Sequence, residues 1–167
     1  MIRRAVPVDF ENAQITYKNF EGREGRYNRA GDRNFSIVID DSDLANKLAE
    51  DGWNIRIREP RNEGEKPDYT LPVTVSFREI PNIPPVEIYI YTNRSRRRLD
   101  EETVGDLDHM ALESIDLTIR PRFWEDDNGN TRVKAYLKEM HVKPVESHWA
   151  NKWNSMVCKE DEEFWEN

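Results

Sequence analysis

The chain has 167 residues, which suits one domain with or without a tail; 37% are hydrophobic and 35% charged, with a formal net charge of -8. That balance excludes a protein coated in basic surface for duplex DNA. A single cysteine, Cys158, excludes an internal disulfide or a multi-thiolate zinc site within one chain, and no apolar run reaches signal-peptide or transmembrane length, so a cytosolic compartment fits.

Short alternating runs predict strands along most of the chain. Ala13, Ile15 and Tyr17 are expected to face one way, with Gln14, Thr16 and Lys18 opposite. The stretch from Asn19 to Phe35, NFEGREGRYNRAGDRNF, interrupts the pattern. It holds four arginines, three glycines and one tyrosine between two Asn-Phe pairs. A polar connection of that length is expected to be functional, mobile until it meets a ligand. Phe35, Ile37 and Ile39 then resume the alternation.

A helix is predicted next. Asp41 or Ser42 caps it, Asp43 suits its positive first turn, Leu44 and Leu48 share a face, and Gly52 ends it. Ile55 and Ile57 mark a strand that carries Arg56 between them. Glu59–Asp68 reads as a charged linker, and Leu71, Val73, Val75 and Phe77 as a strand with an edge signal at Pro72. Val86, Ile88 and Ile90 alternate with Glu87, Tyr89 and Tyr91, and a helical turn is expected after Asp100.

The final hairpin is the clearest element. Ile115, Leu117 and Ile119 lead to a turn at Asp126–Asn130, where Asn128-Gly129 favours positive φ. On the return, Val133, Ala135 and Leu137 are apolar, but Met140 and Val142 continue the set out of phase. One extra residue near Lys138–Glu139 therefore predicts a β-bulge, which bends a strand as a small barrel requires. The expected fold is mainly β: an OB-like five-stranded or slightly elaborated barrel with one short helix, a β-sandwich being the competitor. Residues 1–145 form the domain and 146–167 an extension, with Trp149 and Trp153 spaced for one helical face and a disordered acidic end.

Catalysis finds little support. His109, His141 and His148 have no paired ligand spacing, and no phosphate loop or nucleophile elbow occurs, so neither a metal nor another cofactor is expected. Polyanion binding has more. Single-stranded nucleic acid needs cations for phosphates and aromatic faces for bases. Three segments supply both: Arg23, Arg26, Arg29 and Arg33 with Tyr27; Tyr89 and Tyr91 followed by Arg94, Arg96, Arg97 and Arg98; and Arg120, Arg122 and Trp124 facing Arg132, Lys134, Tyr136 and Lys138. Arg56 joins the set. The competing explanation is a solvated outer face whose arginine stems cover apolar surface. The end of the chain, CKEDEEFWEN, sets Phe164 and Trp165 among Glu160, Asp161, Glu162 and Glu163, which suits capture by a basic, apolar pocket on a partner.

Taken as a set, FEGREGRYNRAGDRNFSIVID, LANKLAEDGWNIR, PPVEIYIYT and IDLTIRPRFWEDDNGNTRVKAYLKEMHV resemble the single-stranded DNA-binding proteins with an OB fold encoded by tailed phages and prophages. The resemblance spans roughly Phe10 to Val145. It implies sequence-tolerant binding of single-stranded DNA in a bacterial host's cytoplasm, no catalytic residue, and an acidic tail that recruits replication or recombination partners. It leaves homodimerisation open. The run Arg94–Arg98 is more basic than the resemblance leads one to expect. The alternatives are a phage protein that binds a host factor without nucleic acid, and a nuclease.

Overall fold

The structure, a computed structural model, describes residues 5–93 and 95–146. Nine strands, one α-helix and one 3₁₀ helix make up the described chain. In order they are β1 (Val8–Phe10), β2 (Gln14–Asn19), β3 (Arg33–Ile39), α1 (Ser42–Glu50), β4 (Arg56–Arg58), β5 (Asp68–Val75), β6 (Glu87–Tyr91), β7 (Arg96–Leu99), the 3₁₀ helix (Val104–His109), β8 (Leu112–Glu125) and β9 (Thr131–Pro144).

All nine strands join one mixed sheet, which sets aside the two-sheet sandwich. Within it β2, β3, β5, β9 and β8 lie side by side in that order. Neighbours pair antiparallel except β5 and β9, which run parallel through Val73↔Ala135 and Thr74↔Tyr136. The expected five-stranded, partly open OB-type barrel is therefore present, with β1, β4, β6 and β7 as elaborations. Between β2 and β8 the join is made by point contacts. The Ala13 N–H donates to the Ile115 carbonyl at 2.7 Å, the Asn12 N–H to Asp116 Oδ1 at 2.8 Å, and Lys18 Nζ to the carbonyls of Leu107 and Met110.

The predicted alternation builds the core. Phe35, Ile37 and Ile39 of β3, Leu71, Val73 and Val75 of β5, Ile88 and Ile90 of β6, and Ile115, Leu117 and Ile119 of β8 are all buried. On β9 the bulge falls at the expected place: Thr118 pairs with Glu139 and Ile119 with Leu137, leaving Lys138 without a counterpart. Buried positions accordingly shift from Val133, Ala135 and Leu137 to Met140 and Val142. The same point divides the other edge of β9. Its first half pairs with β5 and its second half with β6. Pro72 falls where β4's pairing to Thr70 has ended and β9's pairing from Val73 begins, an interval that asks for no N–H donor there.

Helix α1 is capped by Asp41, whose carboxylate accepts from the N–H groups of Asp43 and Leu44. Ala45 and Leu48 face the core. Gly52, at φ 102°, turns the chain so that the Trp53 N–H returns to the Leu48 carbonyl. A Cβ at Gly52 would lie 3.1 Å from Val133, so the turn is pressed directly against β9.

Three expectations change. Strands β1 and β7 are new; at three and four residues they are too short to show a period. Arg96, Arg97 and Arg98 thus lie in a strand, not in a strand's exit. Tyr17 does not join Ala13 and Ile15. A register shift between Thr16 and Asn19 puts an extra residue in β2, and Tyr17, at φ 53°, is turned out to solvent. The β2–β3 connection is also far from empty of structure. Phe20 and Phe35 are both fully buried, and Asn19 Oδ1 accepts from the N–H groups of Gly22 and Arg23. Asn28 Nδ2 reaches the carbonyls of Arg23, Arg29 and Asp32, while Asn34 Nδ2 donates to Asn28 Oδ1. The loop is braced by its own side chains.

Candidate nucleic-acid interface

The site begins with the strand face opposite the core. When Val73 and Ala135 point inward, Thr74, Lys134 and Tyr136 point outward. Antiparallel pairing then sets Arg122 opposite Lys134 and Arg120 opposite Tyr136. Two adjoining hollows result, of about 880 Å³ and 500 Å³, sharing Thr74, Lys134 and Tyr136. The first is walled by Trp53, Arg56, Arg122 and Trp124; the second by Arg33, Phe77, Arg78 and Glu101. Together they make one groove across β5, β9 and β8.

Tyr136 is the post at its centre. Its ring is only 8% exposed and is surrounded by Arg120 at 5.0 Å, Lys134 at 5.5 Å and Arg122 at 5.6 Å from the ring centroid. Its hydroxyl accepts from Arg122 at 3.1 Å. Three cations crowd together here because each gains the negative face of one ring. Burial beside Arg122 pulls Arg120 below the ordinary arginine value. Such a cluster is short of anions, which is the electrostatic condition for holding phosphates. Expected to stack bases, Tyr136 instead has its faces taken by cations. Trp124 is different: it is 50% exposed at the groove's end.

The loop arginines separate. Arg33 enters the groove, over the Phe77 ring at 5.7 Å and beside Glu101 at 3.6 Å, while its Nε finds no acceptor among the described residues. Arg23 turns the other way, 3.8 Å from the buried Asp108 carboxylate. That carboxylate also accepts from the N–H groups of Phe20 and Glu21 and so fastens the loop to the 3₁₀ helix. Gly25 and Asn28 exchange backbone hydrogen bonds, leaving Arg26 and Tyr27 as a two-residue tip, with Tyr27 90% exposed. Arg29 is exposed beside it.

The segment of β6 and β7 lies elsewhere on the same face, beyond the bulge at Lys138. Tyr89 stacks on His141 at 5.4 Å with Arg96 over its ring at 5.0 Å. The Tyr91 hydroxyl shares a 2.7 Å hydrogen bond with His141 Nδ1, and His141 Nε2 meets Glu139 at 2.9 Å. The hydrogen bond from His141 holds Glu139 below the usual carboxylate range. Arg97 lies 3.8 Å from Asp106, and Arg98 donates to the Val86 carbonyl. His141, against which Tyr89 and Tyr91 pack, stands among Asp9, Asp116 and Glu139, and none of these β6 and β7 side chains lines the basic groove. Arg132 is held by Asp126 at the hairpin turn, and Lys138 is exposed at the bulge. Arg94, and the tail residues Glu160, Asp161, Glu162, Glu163, Phe164 and Trp165, lie outside the described residues, as do Trp149 and Trp153.

Sequence reasoning missed Arg58, Phe77, Arg78 and Tyr17. Phe77 continues the apolar run past the end of β5 at Val75, packs in part against the core and also lines the second hollow. Arg58 alternates with Ile57 just before the linker that begins at Glu59, and its sequence surroundings point to no partner for it. Among the described residues no group of three or more His, Cys, Asp or Glu side chains is placed to hold a metal ion, and no helix there is long and apolar enough to cross a membrane.

Comparison with known proteins points the same way as the groove. A family model described as "Putative phage ssDNA-binding domain" matches residues 2–162. No curated protein matches. Among solved structures, the chain is similar to the single-stranded DNA-binding protein of bacteriophage Enc34. Against its C-terminal truncation the TM-score is 0.51 at 11% identity, covering 88% of this chain and 93% of that one. Against the same protein in complex with single-stranded DNA the TM-score is 0.51 at 10% identity, covering 88% and 94%. At such identity the likeness is one of fold.

Proposed function

The chain belongs to the phage single-stranded DNA-binding domain family, and from that premise we propose that it holds single-stranded DNA in the groove across β5, β9 and β8. The observation that carries this reading is the cation cluster on Tyr136, with half-exposed Trp124 at its end. Arg33, Arg56, Arg120, Arg122 and Lys134 take phosphates, and Trp124 stacks a base. Arg26, Tyr27 and Arg29 at the loop tip extend the contact. Sequence is not read, because phosphates and π-faces are common to every nucleotide. The neighbour seen with single-stranded DNA supports the same reading by fold.

Binding of this kind protects displaced strands during replication or recombination of phage DNA in the host cytoplasm. The acidic Phe164-Trp165 tail supplies a separate attachment for partner proteins in those processes. Its removal, by deleting Lys159–Asn167, leaves or tightens DNA binding and abolishes recruitment. No catalytic step and no cofactor enters this reading.

Titration with oligo-dT and a sequence-matched duplex tests it. Preference for the single strand, weakening as salt rises, is the expected result. Equal or absent binding to both would end the proposal. The same titration gives the number of nucleotides bound per chain, and light scattering of the free and DNA-bound protein tells a monomer from a homodimer.

A further inference from the structure

The groove has a neighbour that neither the family match nor the sequence pattern assigns. Strand β4 pairs with one edge of β5, and β3 with the other; β2 lies beyond β3. Arg58 on β4 and Tyr17 on β2 are therefore separated by two strands. Yet Arg58 donates to the Tyr17 hydroxyl at 3.3 Å. The pair can meet only by reaching over the outer faces of β3 and β5, since the inner faces are filled by Ile37, Ile39, Leu71 and Val73. Arg56 and Arg58 share a side of β4, opposite Thr70 and Asp68 of β5. Arg56 already lines the groove, so the Arg58–Tyr17 contact continues the same surface.

Three features of Tyr17 suit it for a ligand and not for the core. It is 64% exposed, so its ring is open to a ligand. Its backbone stands at φ 53°, which tyrosine rarely adopts. The bulge of β2 holds it there and lifts it from the inward row where alternation would have put it. Backbone strain of this sort concentrates at binding sites. The phenol is oriented by a guanidinium that is itself held by Asp68. Arg58's pairing with Asp68, and next its bond to Tyr17, raise it above the ordinary arginine value, so it is fully charged at any working pH.

Resting on the reading of the groove as a single-stranded DNA site, we propose that Tyr17 and Arg58 form a second nucleotide subsite, Tyr17 stacking a base and Arg58 holding the adjacent phosphate. DNA then crosses the barrel from Trp124 on β8 to Tyr17 on β2, and both ends of the path carry an aromatic face.

The test uses Tyr17→Gly, Tyr17→Phe and Arg58→Gln in the full chain, with an oligo-dT series from about 4 to 16 nucleotides. Glycine prefers the left-handed backbone, so Tyr17→Gly is expected to keep or raise the thermal midpoint while removing the ring. Affinity for the longest oligonucleotide should fall about ten-fold in Tyr17→Gly, with a smaller loss in Arg58→Gln and near-wild-type binding in Tyr17→Phe. Wild-type affinity in Tyr17→Gly at every length, with the wild type itself binding, would overturn the subsite alone. A drop in thermal midpoint that parallels the loss of affinity would overturn it too, by marking Tyr17 as structural. If the wild type binds no single strand in preference to duplex, it is the groove reading that fails.

Discussion

Phe20 and Phe35 stack at 5.3 Å between ring centroids, and both are sealed from solvent. They are the second residues of the two Asn-Phe pairs that open and close the arginine-rich loop. The asparagines do the complementary work on the surface, Asn19 and Asn34 each tying part of the loop by side-chain amides. The loop is thus clamped at its base by packing and shaped along its length by hydrogen bonds. Removing the stack by Phe20→Ala should cost about 3–5 kcal/mol of stability, read from chemical denaturation. Phe20→Leu should cost much less.

Asn28→Ala separates loop shape from global stability. Its amide nitrogen serves three carbonyls that would otherwise turn to water. The surface position limits the global loss to about 1 kcal/mol. Amide exchange of residues 22–32 should accelerate clearly, and single-strand affinity should drop because Arg26, Tyr27 and Arg29 lose their placement. Unchanged exchange in the loop would contradict this account of its order.

Groove cations are expected to act through counterion release. Lys134→Gln and Arg56→Gln should each lower the slope of log affinity against log salt by ~0.7 for single-stranded DNA. Arg97→Gln, paired with Asp106 on the far side of the bulge, should leave the slope unchanged. Slopes measured with oligo-dT over a range of salt decide between them.

Trp124 is the optical reporter of the site. Trp53 is buried, so the DNA-dependent quench among the described residues should come from Trp124. Trp124→Ala should remove most of that quench and ~1–3 kcal/mol of affinity. Tyr89→Ala should do neither, since its ring is already taken up by His141 and Arg96.

Acid should weaken the final hairpin at its turn. The Asn130 N–H, then Arg132 and the Asn128 N–H, hold Asp126 below the usual carboxylate range against a smaller effect of burial. A lowered folded-state value means that its stabilisation is complete above the unfolded value of about 3.9 and is lost as pH falls through the folded one. Asp126→Asn should therefore have a lower thermal midpoint than wild type at neutral pH. The gap should narrow as pH falls below the unfolded value and through the lower folded one.

The alternation in β3, β5, β6, β8 and β9, and the slip at Lys138, were legible because burial on one face imposes a two-residue period and an extra residue breaks it visibly. Strands β1 and β7 were not, being shorter than any period. Tyr17 was misplaced for a related reason: the rule that put it inward assumes an unbroken strand, and the only apolar residue out of phase with Ala13 and Ile15, Phe20, comes after β2 has ended. Composition located the arginines well and their roles poorly. Whether an arginine faces a groove or a carboxylate depends on partners such as Asp108 and Glu101, which lie 68 or more positions away. The hairpin half of the interface was readable because both its strands are local in sequence; Arg33 and Arg56 were legible as candidates, but their convergence with Phe77 and Arg78 on one groove was not, because only the barrel brings them together.

The central strand of this sheet is the last synthesised of the described strands. β9 supplies the pairing edge for β8 along its length, for β5 in its first half and for β6 in its second. A nascent chain that has reached residue 130 has every other described strand and no middle. Its β5, β6 and β8 present unpaired edges of the kind that seek other chains. Folding must then wait for long-range pairings, which are slow to form. On the ribosome, the core and the DNA groove should appear together when β9 emerges. Chains stopped before that point should aggregate instead of binding with reduced strength.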